Sequence, residues 1–185
     1  MKVTATKISD VLIIEPAVYK DERGLFMELF NAPRYQEHGL SQQFVQDNYS
    51  VSCKNTLRGL HYQLKHPQGK LVQVIEGIVF DVAVDIRQGS ATYGEWIGEI
   101  LSDENNKQLY VPPGFAHGFC VLSKTVQFIY KCTDVYNPQD EHGVLWSDEA
   151  LAIDWPVTAP VLSEKDKVFR RLSDIDRSQL PVYSG

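Results

Sequence analysis

From Leu71 to Arg87 the chain reads LVQVIEGIVFDVAVDIR, an alternation that an extended backbone sorts onto two faces. Glu76-Gly77 breaks the run into two strands. In the second, Ile78, Phe80, Val82 and Val84 point to one side, with Asp81 and Asp85 on the other. Shorter runs of the same kind follow in GEWIGEIL, KQLYVPP, HGFCVL and TVQFIYKCT, separated by the turn signals SDENN, PPG and SK. Closely spaced strands predict a mainly β fold, an antiparallel sandwich or barrel. Helix is scarce. NAPRYQEHGL reads as one short helix, with Asn31 as N-cap and Gly39 as terminator. A second is expected near the C-terminus, at LSEKDKVF, where Ser163 and Asp166 have the spacing of a capping box.

The 185 residues are enough to bury a sizeable core, and 43% hydrophobic with 23% charged content is that of a globular chain. With no repeat, low-complexity tract or linker, residues 1–185 read as a single domain. The net charge of −6 argues against a nucleic-acid partner and leaves anion binding to local clusters of cations. Cys53, Cys120 and Cys132 are odd in number and form no CxxC, which reads as reduced, core-filling thiols in a cytoplasmic protein. The apolar run VLII near the N-terminus is too short for a signal peptide, and no stretch has the length of a membrane span. A soluble, cytoplasmic protein is expected.

The stretch TLRGLHYQ, residues 56–63, spends an arginine and a histidine inside a β-region. A perfect strand would put His61 and Gln63 on one face and Arg58 on the other; Gly59 is where a bulge would turn Arg58 toward His61. His61 is then either a satisfied core histidine beside a surface Arg58, or part of a site. In VPPGFAHGF a rigid Pro-Gly turn precedes His117, as in the cupins, small barrels with a site in the mouth. Metal-binding cupins usually carry an H-x-H pair; here it is His61-Tyr62-Gln63, and His66 lies in the turn KHPQG, so a transition-metal site lacks ligands. His117 is either a barrel histidine held by hydrogen bonds or a donor to a substrate phosphate. Arg23, Lys70 and Lys131 are surface charges, or cations converging on a diphosphate, for which the chain offers neither GxxxxGK[ST] nor GxGxxG. Tyr130 is a packing aromatic or a proton donor. Asp166 is a helix-cap residue or the partner of a histidine.

Taken in order, DERGLFME, FVQDNYS, LRGLHYQ, KLVQVIEGIVFDVAVDIR, PPGFAHGF, QFIYKCTDVYNP, DEHGVLW and LSEKD resemble the dTDP-4-dehydrorhamnose 3,5-epimerases over nearly the whole chain. The resemblance implies a cupin-type jelly-roll barrel, a homodimer, a dTDP-sugar substrate, and neither metal nor organic cofactor. By similarity His61 is the general base, Asp166 its orienting partner, Tyr130 the general acid on the opposite face of the sugar, and Lys70 the cation that stabilises the enolate oxygen. Arg58 and His117 line the sugar–diphosphate site. Gln46, Asp47 and Asn48 match a nucleotide-contacting segment, Tyr136 a base-stacking aromatic, and Glu141 and Lys165 further binding positions. Arg23, Phe26 and Glu28 fall in the segment that reaches across the dimer toward the neighbour's nucleotide.

The implied chemistry is consistent with these residue types. A C4 ketone acidifies the hydrogens on C3 and C5, a histidine near neutrality suits proton removal, and a fixed cation suits the charge that develops on oxygen. Three rivals stand beside this reading: a mono-epimerase acting at C3 or C5 alone, a non-catalytic nucleotide-sugar-binding cupin, and a metal-dependent cupin oxygenase, against which Gln63 argues.

Overall fold

The computed structural model describes residues 1–183; Ser184 and Gly185, the end of the expected domain, lie outside the described residues. The strands are β1 (Lys2–Ala5), β2 (Leu12–Glu15), β3 (Val18–Asp21), β4 (Gly24–Met27), β5 (Gln46–Cys53), β6 (Leu57–Gln63), β7 (Lys70–Glu76), β8 (Ile78–Asp85), β9 (Trp96–Ser102), β10 (Gln108–Val111), β11 (Phe115–Val121), β12 (Thr125–Cys132) and β13 (Glu141–Gly143). One sheet runs β1-β2-β10-β7-β12-β5, a second β13-β6-β11-β8-β9, and β3-β4 is a separate hairpin. Neighbouring strands are antiparallel and fall in two sheets, the mainly β architecture that the alternation predicts and the jelly-roll that the resemblance implies.

Between the two sheets one end is packed solid by Val72, Val74, Val79, Leu101, Leu109, Phe119, Val121 and Phe128. Polar side chains line the other end, which stays open. The outer face of the second sheet is covered as well: Leu60, Val82, Val84 and Ala116 pack against Val144, Leu151, Leu172 and Leu180 from the C-terminal part of the chain. This is why β8 is buried on both faces, Asp81 and Asp85 included. Gly77, at a φ of 93°, makes the break between β7 and β8 that Glu76-Gly77 announces.

Helix α1 (Ala32–Gln36) forms as expected, with the Asn31 side chain accepting from the Arg34 N–H. Its Tyr35 is buried and donates to Gln108 Oε1 at 2.6 Å, which docks the helix on the first sheet. The expected C-terminal helix does not form. Ser163 Oγ accepts from the Asp166 N–H at 3.3 Å, as a cap would, but the segment makes only turns, and Arg170 bridges to Val144. A single turn is too short to hold itself against tertiary contacts at Lys165 and Asp166. Two 3-10 turns, Leu172–Asp174 and Arg177–Gln179, follow instead. Cys120 and Cys132 are buried as expected, whereas Cys53 ends an edge strand and is exposed. No helix among the described residues is long and apolar enough to cross a membrane.

The bulge expected at Gly59 is present: His117 pairs with His61 and Phe119 with Arg58, so β6 carries one residue more than β11. Gly59 has a φ of 134°, and a Cβ there would lie 2.6 Å from Gly118 Cα and 2.9 Å from the His117 carbonyl oxygen. Both neighbours are backbone and cannot step aside. Gly59→Ala is expected to destabilise the fold by about 2–4 kcal/mol, from a strained φ plus a backbone clash, measured as a shift in the denaturant midpoint. An unchanged midpoint would mean that β6 and β11 do not need this close approach.

Candidate active site

The open end of the barrel is a cavity of about 360 Å³. The second sheet supplies Arg58 and His61 from β6 and His117 from β11, and the first supplies Lys70 from β7 and Tyr130 from β12. His61 and Tyr130 therefore stand on opposite walls. The bulge at Gly59 lets Arg58 and His61 serve one cavity although they are three residues apart.

His61 Nε2 lies 2.6 Å from Asp166 Oδ1, and the Asp166 side chain is 2% exposed. Burial pulls the His61 imidazole below its ordinary value of 6.5, and the Asp166 carboxylate only partly offsets this. Burial pushes Asp166 the other way, but hydrogen bonds from His61 and Ser163 outweigh it and hold the carboxyl below 3.8. At neutral pH the pair is thus a neutral ring beside a carboxylate. The ring donates Nε2–H to Asp166, which leaves the basic lone pair on Nδ1. Local sequence gives Asp166 a cap position; tertiary packing makes it the partner of a histidine 105 residues away.

A second histidine–carboxylate pair lies deeper. His117 Nε2 is 2.8 Å from Asp81 Oδ1, with Asp81 fully buried. Burial pushes the Asp81 carboxyl above 3.8 against the pull of His117 and Lys70, and its Oδ2 has no hydrogen-bond partner among the described residues. Asp81 is absent from the sequence-derived site. The alternation put it opposite Phe80, Val82 and Val84, and that opposite face is the barrel interior.

Lys70 is half-buried, and burial lowers its ammonium below 10.5 against the opposing charges of Asp81 and Glu141. Burial raises the Tyr130 phenol above 10, so it is protonated at neutral pH. At the rim Glu141 accepts from Lys165 Nζ at 2.6 Å and from the Tyr136 hydroxyl at 3.1 Å. Gln46 Oε1 accepts from the Tyr136 N–H at 2.8 Å, and Gln46 Nε2 donates to Asn48 at 3.0 Å.

Not every expected residue joins this cavity. Period 2 along β5 turns Gln46 and Asn48 inward and Asp47 outward, where it pairs with Lys131 at 2.8 Å. Arg23 sits on the β3-β4 hairpin paired with Asp21, Phe26 is 70% exposed, and Glu28 pairs with Arg34; none of the three lines the cavity of its own chain. Lining residues that the motifs did not single out include Ser50, Phe119 and Phe128, the last two stacked 4.3 Å apart at the floor. Gln63, where a metal-binding cupin would carry its second histidine, spends its amide on loops. Its Nε2 donates to the His66 and Val135 carbonyls, and its Oε1 accepts from the Asn137 N–H. Among the described residues no group of three His, Cys, Asp or Glu side chains is arranged to hold a metal ion.

A family model described as dTDP-4-dehydrorhamnose 3,5-epimerase matches residues 5–174. A dTDP-4-dehydrorhamnose 3,5-epimerase of Shigella flexneri is 54% identical over 95% of this chain and 98% of its own length. One from Methanothermobacter thermautotrophicus is 52% identical over 96% of this chain and 95% of its own. The crystal structure of a dTDP-6-deoxy-D-glucose-3,5-epimerase from Legionella pneumophila, in complex with dTDP-4-keto-L-rhamnose, superposes with a TM-score of 0.97 at 53% identity, covering 100% of this chain and 99% of that one.

Proposed function

The chain belongs to the dTDP-4-dehydrorhamnose 3,5-epimerase family, and on that premise we propose which of its residues carry the reaction. The enzyme is an isomerase that converts dTDP-4-dehydro-6-deoxy-D-glucose to dTDP-4-dehydro-L-rhamnose by inverting C3 and C5. His61, neutral and oriented by Asp166, removes the proton on the carbon beside the C4 ketone. The electron pair moves onto O4, where the Lys70 ammonium stabilises the enolate. Tyr130 returns a proton from the opposite face, and solvent exchange resets both groups before the second centre reacts. The observation that carries this reading is a His–carboxylate dyad on one wall facing the Tyr130 phenol on the other, with Lys70, on β7 between β10 and β12, on the phenol's side.

Arg58 and His117 would hold the sugar–diphosphate, Tyr136 would stack on the thymine, and Gln46, Asn48, Glu141 and Lys165 would complete the nucleotide site. The assembly is a cytoplasmic homodimer in which Arg23, Phe26 and Glu28 complete the neighbouring site. Three observations support this. The hairpin exposes Tyr19, Leu25 and Phe26, the outer face of the first sheet exposes Tyr49, Val51 and Ile75, and all three thiols are free.

The deciding experiment is NMR of dTDP-4-keto-6-deoxyglucose incubated with the protein in D₂O. Deuterium at both C3 and C5 is expected. Label at one centre would make it a mono-epimerase, and no label with dTDP still bound would leave a binding module. Tyr130→Phe should slow epimerisation by about 10²-fold while solvent exchange at the base side falls less, because proton removal precedes the acid's step. An equal fall in both would remove Tyr130 from that role. Co-expressing His61→Asn with Arg23→Ala chains should restore activity that neither homodimer has, since the mixed dimer regains one intact site. No recovery would place Arg23 in the site of its own chain, and full activity of the Arg23→Ala homodimer would remove it from both sites.

A further inference from the structure

We propose that Phe169 is a positioning residue for the base: seated on Gly143, it fixes the plane of the His61 ring so that Nε2 stays on Asp166. The inference rests on the reading of His61 as base and extends it to a residue outside the substrate cavity.

The register of β13 on β6 sets Gly143 directly across from His61. The Phe169 ring lies over Gly143 so closely that a Cβ there would overlap it. From that seat it meets the His61 ring edge to face, with centroids 5.8 Å apart and planes at 75°. Such contacts hold a preferred relative orientation of the two rings. The segment that carries Phe169 also carries Asp166, and it has no helix to hold it. It is docked instead at both ends: Lys165 Nζ on Glu141 at 2.6 Å, and the Arg170 carbonyl accepting from the Leu145 N–H at 2.8 Å. Phe169 lies between the second tether and the dyad. It thus links the placement of the carboxylate to the placement of the ring it must meet. Its contact is one of those that bury the imidazole, the burial that depresses the His61 pKa.

Phe169→Ala and Gly143→Ala test this by independent routes, one deleting the ring and one lifting it from its seat. Each is expected to lower kcat at least about tenfold, since small misplacements of a reacting group have large effects on rate. Affinity for dTDP should stay within about twofold, because neither residue lines the cavity. In Phe169→Ala, water reaches the ring while Asp166 still favours its charged form, so the His61 pKa rises and the acid limb of kcat/KM moves to higher pH. ¹⁵N-histidine NMR, assigned with His61→Asn, reads that pKa directly. Phe169→Tyr keeps the ring and should restore both kcat and the pH limb. Retained dTDP binding shows that each variant is folded, and Phe169→Leu serves if the alanine variant is not. Wild-type kcat and an unmoved limb in Phe169→Ala or Phe169→Leu would overturn the positioning role. Wild-type activity in His61→Asn would instead overturn the base assignment beneath it.

Discussion

His61→Asn is expected to lower kcat by about 10³-fold while dTDP still binds, because the change removes the proton acceptor and leaves the barrel standing. The His61 side chain is 22% exposed and faces the open cavity, so its loss does not open the core. Asparagine retains a donor for Asp166 but has no basic nitrogen. Exchange of substrate hydrogens with D₂O should therefore vanish along with epimerisation, and the thermal midpoint should stay close to that of the parent. The pH profile carries the sign of the same assignment. Burial depresses the His61 pKa below 6.5, and the base works only when neutral. Wild-type kcat/KM should thus hold as pH falls through 6.5 and drop only below it. An acid limb above 6.5, or an Asn variant within tenfold of wild type, would refute His61 as the base.

Lys70→Met is expected to lower kcat by about 10²- to 10³-fold, the range for removing one preorganised group from a developing oxyanion. The side chain is half-buried, and this partial desolvation strengthens its field on O4 and is also what lowers its own pKa. Methionine keeps the length and fits beside Val72 and Cys132 without burying a charge. The folded state should be no less stable, since a Lys70 pKa held below 10.5 means that burying the charge costs more than Asp81 and Glu141 offset. The rate should fall as pH rises through a Lys70 pKa below 10.5, and that alkaline loss should be absent from the variant's residual activity. Wild-type turnover in Lys70→Met would shift the stabilisation of the enolate to another group.

Much of this architecture can be read along the chain because the signals are local. Asn31 marks the start of α1, Gly77 splits β7 from β8, and Gly59 bends β6, each through the backbone conformation or the hydrogen bond its own side chain allows. The strands GEWIGEIL, KQLYVPP, HGFCVL and TVQFIYKCT sit where their alternation and flanking turns put them. Most of the cavity is legible too, but by similarity of motifs. No spacing rule sets Lys70 beside Tyr130, or His61 across from both.

Local signals fail where a choice between faces or between weak preferences is made by distant parts of the chain. Alternation separates Asp81 from Phe80 and Val82, yet which side becomes the interior depends on the C-terminal residues that cover the outer face. Within QDN the same period sends Asp47 outward and its two neighbours into the cavity. A capping signal worth about 1 kcal/mol does not make a helix of LSEKDKVF, because Lys165 binds Glu141 and Asp166 binds His61. Sequence alone determined where the strands run and where they turn, since propensity and sterics act within a few residues. The tertiary structure decided which polar side chains meet, since only the closing of the two sheets, with the segment around Asp166 docked on the second, brings Asp166, His61, Lys70 and Tyr130 out of bulk water together.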